Sequence, residues 1–332
     1  MNDTPIKTNL DEQNLDTVLR PSSFDEYIGQ DTVKKSLKII LEAAKLRKEP
    51  IDHILFYGQA GLGKTTLANI VANELGGNLK ITSGPAIEKS GDLAAILTNL
   101  EAGDVLFIDE IHRLNRMIEE VLYPAMESRQ LNIVIGKGPA ARTISLDLPP
   151  FTLIAATTRV NMISNPLRSR FGASFRLDYY SVPDISEIIR RSASLVGINL
   201  DESAIGSLAK ASRFTPRIAN RLVRRARDLA EVRKLGLIKT EDLSDLFKIL
   251  DIDEYGLEYQ DRRLLDIISE QFNGGPVGIN SLAAALGDDR DIIEDIYEPY
   301  LINLGFLKRT SGGRVISEKG IEYLKKNHDS QN

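Results

Sequence analysis

The sequence contains no cysteine and only three histidines in 332 residues. Disulfide scaffolds and thiolate zinc modules are therefore excluded as classes. The histidines, His53, His112 and His328, are scattered along the chain. We expect no histidine cluster that could hold a transition metal.

Long apolar runs are also missing. No stretch reaches the roughly 18 apolar residues that a membrane-spanning helix needs. The opening residues, MNDTPIKTNLDEQN, are polar and acidic rather than basic and then apolar. The 42% apolar and 27% charged residues are close to the globular average, which excludes wholesale disorder and collagen. We expect a cytoplasmic globular protein without a membrane partner.

The net charge of −5 argues, on average, against a nucleic-acid partner. The average hides a basic segment, because residues 205–234 contain nine basic and two acidic side chains. The basic residues are Lys210, Arg213, Arg217, Arg221, Arg224, Arg225, Arg227, Arg233 and Lys234. A functional basic patch and a solvated helix face both remain open.

Short apolar runs alternate with helical patterns in the first half of the chain. The runs cover 51–57, 78–82, 104–109, 151–158 and 173–177. Such a pattern predicts an α/β fold whose parallel sheet has helices on both faces.

From Pro183 to about Leu250 the strand signal disappears, and apolar residues recur at the helical spacing of three and four. An acidic linker with a turn at Gly256 follows at 251–261. We predict three domains. These are a large α/β domain at 1–180, with 1–17 disordered, an all-α domain at 181–251 and a third domain at 252–332.

A phosphate-binding pattern lies between the strand HILFY and the helix-prone run TLANIVANEL. Residues 58–65, GQAGLGKT, match G-x-x-x-x-G-K-[ST] in this strand-to-helix context. Glycines let backbone N–H groups turn toward phosphate oxygens, and the helix N-terminus adds positive potential. Lys64 is expected to contact the β- and γ-phosphates of ATP, and Thr65 to coordinate Mg²⁺. The alternative is a tight turn with an incidental lysine.

Two acids follow the strand DVLFID, 45 residues after Lys64. Asp109 is a candidate Mg²⁺ ligand, and Glu110 a candidate for polarising the attacking water. Alternatively, the acids cap a helix. Farther along, FTLIAATTR ends in Thr157 and Thr158, of which Thr158 can sense the γ-phosphate or cap the next segment.

Two arginines follow a predicted helix start at Pro166. In phosphoryl transfer, arginine neutralises transition-state charge and often comes from a neighbouring subunit. Arg168 and Arg170 are candidates for that role. A surface salt bridge is the commoner fate of a single arginine.

The third domain has a helix-turn-helix rhythm in INSLAAALG and DDRDIIEDIYEPYLINLG, followed by a hairpin wing around Gly312 and Gly313. The second helix is strongly acidic, with Arg290 as its one plausible DNA contact, so base reading by this helix is improbable. The expected phosphate contacts are Arg290, Lys308, Arg309, Ser311 and Arg314. A protein-binding winged helix is the alternative.

The segment LNIVIGKGPAARTISLDL (131–148) alternates apolar and polar residues and predicts a hairpin. Its apolar residues either pack inward or form a projecting arm. We take Ile144 and Leu146 as partner contacts of such an arm.

The motifs GQAGLGKTT, LFIDEIHRL, AATTR, PLRSRFG and TPRIANR, in this order, resemble those of the AAA+ ATPases. The longer stretches ITSGPAIEKSGDLAAILTNLEAGDVLFIDEIHRLNR and EEVLYPAMES resemble the bacterial Holliday-junction branch-migration ATPases within that superfamily. The resemblance extends from about Leu19 to about Gly320. It implies an AAA+ P-loop NTPase domain, a small helical lid and a C-terminal winged-helix head.

The resemblance also implies a function and partners. The family forms a hexameric ring that hydrolyses ATP and drives branch migration along the duplex arms of Holliday junctions in recombination and repair. Its partners are the junction-binding protein RuvA, which docks on the projecting hairpin, and the resolvase RuvC.

Individual residues take roles from the same resemblance. Arg217 of TPR resembles the lid sensor, and Arg170 the finger that enters the adjacent subunit's site. Leu19, Arg20, Tyr27 and Ile28 resemble the adenine-side elements, with Tyr180 on the hinge side. The other implied nucleotide contacts are Gly61, Leu62, Gly63, Lys64, Thr65, Thr66, Glu127, Ser128 and Arg129.

The chain departs from the family pattern at Gln59-Ala60, Ala155, Ser169 and Phe214, the last of which replaces a glycine. If the backbone at 214 has a positive φ, phenylalanine is strained there and Arg217 is displaced.

Two other functions share many of these sequence features, namely a clamp-loader ATPase and a nucleotide-switched DNA-binding regulator. The winged helix and the missing cysteines disfavour the first. The full hydrolytic set disfavours the second.

Overall fold

In the computed structural model, which describes residues 17–135 and 142–331, five strands form one parallel sheet. The strands are β1 (Ile54–Tyr57), β2 (Leu79–Ser83), β3 (Val105–Asp109), β6 (Thr152–Thr157) and β7 (Ala173–Arg176). Their order in the sheet is β2–β3–β6–β1–β7. The predicted α/β fold with a parallel sheet is confirmed.

The central strands are apolar because both of their faces are covered. Every residue of β6 is buried, and so are the first four residues of β3. The edge strand β2 is more open, and its Ile81 is 59% exposed. The helices of this part are α1 (Asp31–Arg47), α2 (Lys64–Leu75), α3 (Ser90–Thr98), α4 (Arg116–Glu127) and α5 (Asn165–Arg168).

The predicted hairpin is present as β4 (Gln130–Ile135) and β5 (Arg142–Asp147), which pair antiparallel. Leu131 and Leu148 are buried in the core of the sheet domain, whereas β5 is exposed along its length. Ile144 is 45% exposed and Leu146 is 39% exposed. Among the described residues, the hairpin packs inward at Leu131 and Leu148 and, partly, at Ile133. Residues 136–141, which include most of the predicted tip, are outside the described residues.

The remaining helices belong to a second compact unit, Ile185–Asn332, which the structure separates from Met1–Asp184. Its first part is helical, as predicted, with α6 (Val182–Val196), α7 (Glu202–Ala211), α8 (Pro216–Arg233) and α9 (Thr240–Ile249). The boundaries near 180 and 251 stay predictions, because the structure separates the chain only after residue 184.

A winged helix follows in the same unit. Its elements are α10 (Tyr259–Glu270), α11 (Ile279–Leu286), α12 (Arg290–Ile292), a π-helical turn (Ile293–Tyr297), α13 (Glu298–Asn303), β8 (Leu307–Thr310), β9 (Gly313–Ile316) and α14 (Glu318–Gln331). The wider π turn ends two residues before Pro299, whose ring would clash in a regular helix and which has no N–H to donate. β8 and β9 form the predicted wing.

No helix among the described residues is long and apolar enough to cross a membrane.

Candidate nucleotide site and nucleic-acid interface

The phosphate loop connects β1 to α2, which begins at Lys64. Gly58, Gly61 and Gly63 have φ values of 141°, 81° and 97°. These positive values favour glycine, and a Cβ on Gly63 would also collide with the Tyr27 hydroxyl. The loop therefore needs its glycines both for backbone conformation and for packing.

Lys64 is only 7% exposed, and its Nζ donates to the carbonyls of Gly58 and Gln59 at 2.9 Å each. Burial lowers the pKa of the Lys64 amine, while the charges of Asp109 and Glu110 act in the opposite direction. The ammonium is therefore held at the loop, and the negative charges of the two predicted acids favour its protonated form.

Two buried tyrosines support the loop from below. The Tyr180 hydroxyl lies 2.9 Å from that of Tyr27 and 3.2 Å from the Leu62 carbonyl, and the Tyr27 hydroxyl donates to the same carbonyl at 3.3 Å. Burial raises the pKa of Tyr27, and it raises the pKa of Tyr180 to about 12, so both stay protonated donors. The structure thus brings together Tyr27, Tyr180, Leu62 and Gly63, all predicted nucleotide contacts.

The other predicted adenine-side residues lie on the segment that leads into α1. Leu19 is buried, Ile28 is half-buried and Arg20 is exposed. Sequence reasoning missed Gln30 on this segment, whose side-chain amide donates to the Asp178 carbonyl at 2.7 Å. That bond ties the segment to the chain just before Tyr180.

The acids and the polar residue after β6 meet because β3 and β6 are neighbours. Glu110 has φ 49°, and its N–H donates to Asp109 Oδ1 at 2.9 Å. The Thr158 hydroxyl donates to Glu110 Oε2 at 3.3 Å. Since β1 pairs with β6, the start of the phosphate loop lies at the same carboxyl edge of the sheet.

A histidine that sequence reasoning left without a role joins this cluster. His112 Nδ1 lies 3.1 Å from Glu110 Oε2 and 2.9 Å from the Thr157 hydroxyl. The imidazole therefore helps to hold the Glu110 carboxylate in place. Its position two residues after Glu110 in DEIH is the signal that could have found it.

The predicted finger, Arg170, follows α5 and packs on α4. Its guanidinium lies 4.3 Å from the centre of the Tyr123 ring, and its Nε is 3.1 Å from Glu127 Oε1. Glu127, Ser128 and Arg129 end α4 and the turn after it, so the structure brings the finger to one end of the predicted 127–129 contact segment.

Tyr123 is itself fixed by a buried acid. The Tyr123 hydroxyl donates to Glu119 Oε2 at 2.8 Å, and the Ser164 hydroxyl donates to the same oxygen at 2.5 Å. Ser164 also accepts the Leu167 N–H at the start of α5. This network of Glu119, Tyr123 and Ser164 connects α4 to the turn that carries Arg170. Sequence reasoning did not find it.

His53 holds the end of α4 against the sheet. Its Nδ1 accepts the Leu153 N–H at 2.8 Å, so its Nε2 carries the proton and donates to the Met126 carbonyl at 3.1 Å. Burial lowers the pKa of this imidazole, consistent with a neutral ring.

In the second unit, Arg217 is exposed in the first turn of α8. The basic segment around it is less basic in space than in sequence. Arg213, Arg221 and Arg233 pair with Asp261, Glu258 and Asp245, which lie outside the counted segment. Much of the predicted basic patch is therefore neutralised.

The wing has a different charge arrangement from the one expected. Lys308 and Ser311 are exposed, as is Arg290 on α12. Arg314, in contrast, is 7% exposed, and its guanidinium donates to Glu298 Oε1 at 2.5 Å and to Glu294 Oε1 at 2.8 Å. The expectation that Arg314 presents its charge to DNA does not fit this buried setting.

Arg309 has an intermediate position. Its side chain is 51% exposed, and it also pairs with Glu298, which is fully buried. Two carboxylates of the acidic helix, Glu294 and Glu298, thus form ion pairs with arginines of the wing. The repulsion expected between that helix and phosphate is therefore reduced.

A phosphate loop, acids after β3, a polar residue after β6, a helical lid and a winged helix define an AAA+ ATPase with a nucleic-acid-binding type of domain. Three family profiles match in sequence order. Residues 19–177 match the Holliday junction DNA helicase RuvB P-loop domain, 180–253 the RuvB AAA lid domain and 254–325 the RuvB C-terminal winged helix domain. The chain belongs to the RuvB family, and it is an ATP-driven Holliday-junction branch-migration motor.

Solved structures agree with this assignment. The Thermotoga maritima RuvB Holliday junction branch migration motor is 51% identical over 93% of this chain and 98% of that chain, with a TM-score of 0.85. A mutant of the same protein matches with 51% identity over 92% of this chain and 98% of that chain, also with a TM-score of 0.85. The comparisons thus favour branch migration over the clamp-loader and regulator alternatives.

Proposed function

We propose that this chain forms a hexameric ring that uses Mg²⁺ and ATP to move the duplex arms of Holliday junctions during recombinational repair in the cytoplasm. One observation carries the proposal. Lys64, Asp109, Glu110 and Thr158 converge at the carboxyl edge of three adjacent strands in a chain that also has a winged helix.

The phosphate loop and Lys64 bind the ATP phosphates. The N–H groups of Gly61 to Thr66 surround them at the start of α2, where the helix dipole favours negative charge. The Tyr27–Tyr180 pair holds the loop in shape through Leu62. Leu19, Arg20 and Ile28 complete the base-side contacts.

The residues fit a Mg²⁺ ion that arrives with the nucleotide. Mg²⁺ prefers oxygen ligands and usually binds through one or two protein groups plus phosphates and waters. The Thr65 hydroxyl and the Asp109 carboxylate supply such oxygens, while no cluster of three acidic or histidine ligands exists among the described residues. When bound, the ion neutralises phosphate charge.

Glu110 polarises the water that attacks the γ-phosphate. Thr158 and His112 fix one of its oxygens, which leaves the carboxylate oriented rather than freely rotating. Because its hydroxyl contacts Glu110, Thr158 couples the orientation of this carboxylate to the presence of the γ-phosphate.

Arg170 completes the site of the adjacent subunit, and Glu127 to Arg129 approach the same nucleotide from the finger side. An arginine supplied in this way neutralises transition-state charge and contributes about 10³–10⁵ in turnover. Arg217 of the lid senses the nucleotide within its own subunit.

The head holds duplex DNA by its phosphates. Arg290, Lys308, Arg309 and Ser311 are exposed and suited to sequence-independent contacts. Arg314 supports the wing through Glu298 rather than binding phosphate itself.

Ile144 and Leu146 dock the junction-binding protein RuvA, and RuvC joins the larger complex. Ile144 is 45% exposed and Leu146 is 39% exposed on the hairpin, so part of each apolar side chain is available to a partner.

A four-way-junction assay tests the proposal. Purified protein is incubated with a synthetic Holliday junction, with and without RuvA, in ATP or in a non-hydrolysable analogue. We expect junction dissociation only with ATP and faster with RuvA. ATP hydrolysis without dissociation under any of these conditions would contradict the motor function.

A further inference from the structure

Two consecutive residues before α8 have left-handed backbone conformations, although neither is glycine. Arg213 and Phe214 both have φ 54°. The backbone at residue 214 thus has the positive φ that would strain a phenylalanine there. Such strain persists only where surrounding contacts over-determine the conformation.

Arg213 supplies the first of these contacts. Its Nη1 donates to Asp261 Oδ2 at 3.1 Å and its Nη2 donates to Oδ1 at 3.2 Å, a bidentate pair with a carboxylate that is 1% exposed. The same guanidinium lies 4.5 Å from the centre of the Tyr300 ring. Asp261 belongs to α10 and Tyr300 to α13, so Arg213 of the lid is anchored in the winged helix.

Phe214 supplies the second contact. Its ring meets the Tyr300 ring edge-on, with centroids 6.1 Å apart, and packs against the core of the winged helix. Tyr300 is 2% exposed, and its hydroxyl donates to the Tyr255 carbonyl at 2.6 Å. The phenylalanine that replaces the family glycine therefore gains a fixed apolar site in the head.

The linker between lid and head packs against the chain just before Arg213. Gly256 has φ 72°, and a Cβ there would collide with the Ala211 carbonyl at the end of α7. About two helical turns beyond Phe214, Arg221 pairs with Glu258 at 3.2 Å. Arg217 lies between these two connections, in the first turn of α8.

We propose that Arg213 and Phe214 are positioning residues that fix the start of α8, and with it Arg217, to the DNA-binding head. We call Arg213, Phe214, Asp261 and Tyr300 the lid–head latch. Because the latch joins the lid to the head rigidly, duplex DNA bound at the wing and nucleotide bound at Arg217 influence each other through this connection. This inference rests on the proposed roles of Arg217 and of the wing.

The variant Phe214→Gly separates strain from packing. Glycine adopts φ 54° without strain, so the fold is retained, but the ring contact with Tyr300 is lost. Arg213→Gln removes the bidentate pair, and Phe214→Tyr keeps the ring as a conservative variant. Arg233→Gln is the matched control, because it breaks an exposed ion pair between α8 and α9 that does not involve the head.

The first readout is ATP turnover with and without duplex DNA. Relative to each variant's own turnover without DNA, we expect Phe214→Gly and Arg213→Gln to lose DNA stimulation by about fivefold or more, the lower end of usual coupling factors. Phe214→Tyr and Arg233→Gln should respond to DNA like the wild type. Stimulation that is unchanged in Phe214→Gly and Arg213→Gln would overturn the latch.

The second readout is hydrogen exchange in the free protein, which needs neither DNA nor ATP. The first turns of α8 and α10 should exchange faster in Phe214→Gly than in Arg233→Gln. Equal exchange would overturn the latch even if the wild type proves not to be stimulated by DNA. A wild type without DNA stimulation, in contrast, would count against the proposed motor function.

Discussion

The guanidinium of Arg170 lies 4.3 Å from the centre of the Tyr123 ring, with Nε 3.1 Å from the Glu127 carboxylate. A cation over an aromatic face is attracted to it by about 0.5–2 kcal/mol, depending on solvation. The finger therefore has a supporting surface on its own subunit. The buried acid Glu119 and Ser164 keep that surface in place.

Removing the ring should weaken the finger without abolishing it. We expect Tyr123→Leu to lower turnover by about 2- to 30-fold, which corresponds to the stacking energy, while Tyr123→Phe stays near the wild type. The measurement is kcat at saturating ATP, because a finger that acts in the transition state changes kcat rather than ground-state binding. A Phe variant as impaired as the Leu variant would assign the effect to the hydroxyl network instead.

Mixed rings test whether Arg170 acts in trans. Arg170→Ala subunits and Lys64→Ala subunits are each expected to be inactive alone. When they are mixed, some interfaces combine an intact phosphate loop with a neighbour's intact finger, so part of the ATPase activity should return. Mixtures that stay inactive at every ratio would exclude an in-trans finger.

The two wing arginines should fail in different ways. Arg309→Gln should weaken duplex binding similarly on all sequences and flatten its salt dependence, since one phosphate contact is lost. Arg314→Gln should instead lower the free energy of unfolding by about 3 kcal/mol, because it leaves the buried Glu298 short of a partner. Chemical denaturation and salt-titrated DNA binding distinguish them. A stable Arg314→Gln variant with a strong DNA defect would restore the direct phosphate role.

His53 predicts a specific acid sensitivity. Burial lowers the pKa of the folded-state imidazole below its ordinary value of about 6.5, so the unfolded chain binds the proton more readily. Its contribution to stability is full above about pH 6.5 and is lost as the pH falls toward the folded-state pKa. His53→Gln should be less stable at pH 8 and show a shallower fall in stability between pH 7 and pH 5. An identical pH slope in both proteins would remove His53 as its source.

The hairpin residues offer a test of docking that spares the fold. Ile144→Ser with Leu146→Ser should leave the melting temperature and the DNA-free ATPase nearly unchanged, because both side chains are partly exposed. Stimulation of branch migration by RuvA should be lost. Leu131→Ser is the contrast, since Leu131 is fully buried and its replacement should destabilise the domain.

Local patterns were enough to predict the sheet, the phosphate loop and the acids, because each depends on consecutive residues. The phosphate loop follows from glycine spacing, and Asp109 follows from the end of an apolar strand. The wing hairpin also follows from a local signal, the glycines between two β-prone runs.

The supporting contacts could not be predicted in the same way. Arg314 resembles a surface cation in the sequence, and only the fold brings it beside Glu298, which is 16 residues earlier in the chain. Tyr123 and Ser164 are 41 residues apart, and Phe214 meets Tyr300 only after the head has folded. Charge counts along the sequence also failed in the lid, because the neutralising acids come from other elements.

The most direct test of the central claim is ATP turnover by Glu110→Gln, with Glu120→Gln on the exposed face of α4 as the control. The amide keeps the shape of the side chain but cannot polarise water as a carboxylate does. We predict that Glu110→Gln binds ATP with near wild-type affinity, loses hydrolysis and fails to move a four-way junction, while Glu120→Gln behaves as the wild type. Undiminished hydrolysis and branch migration in Glu110→Gln would contradict the proposed site.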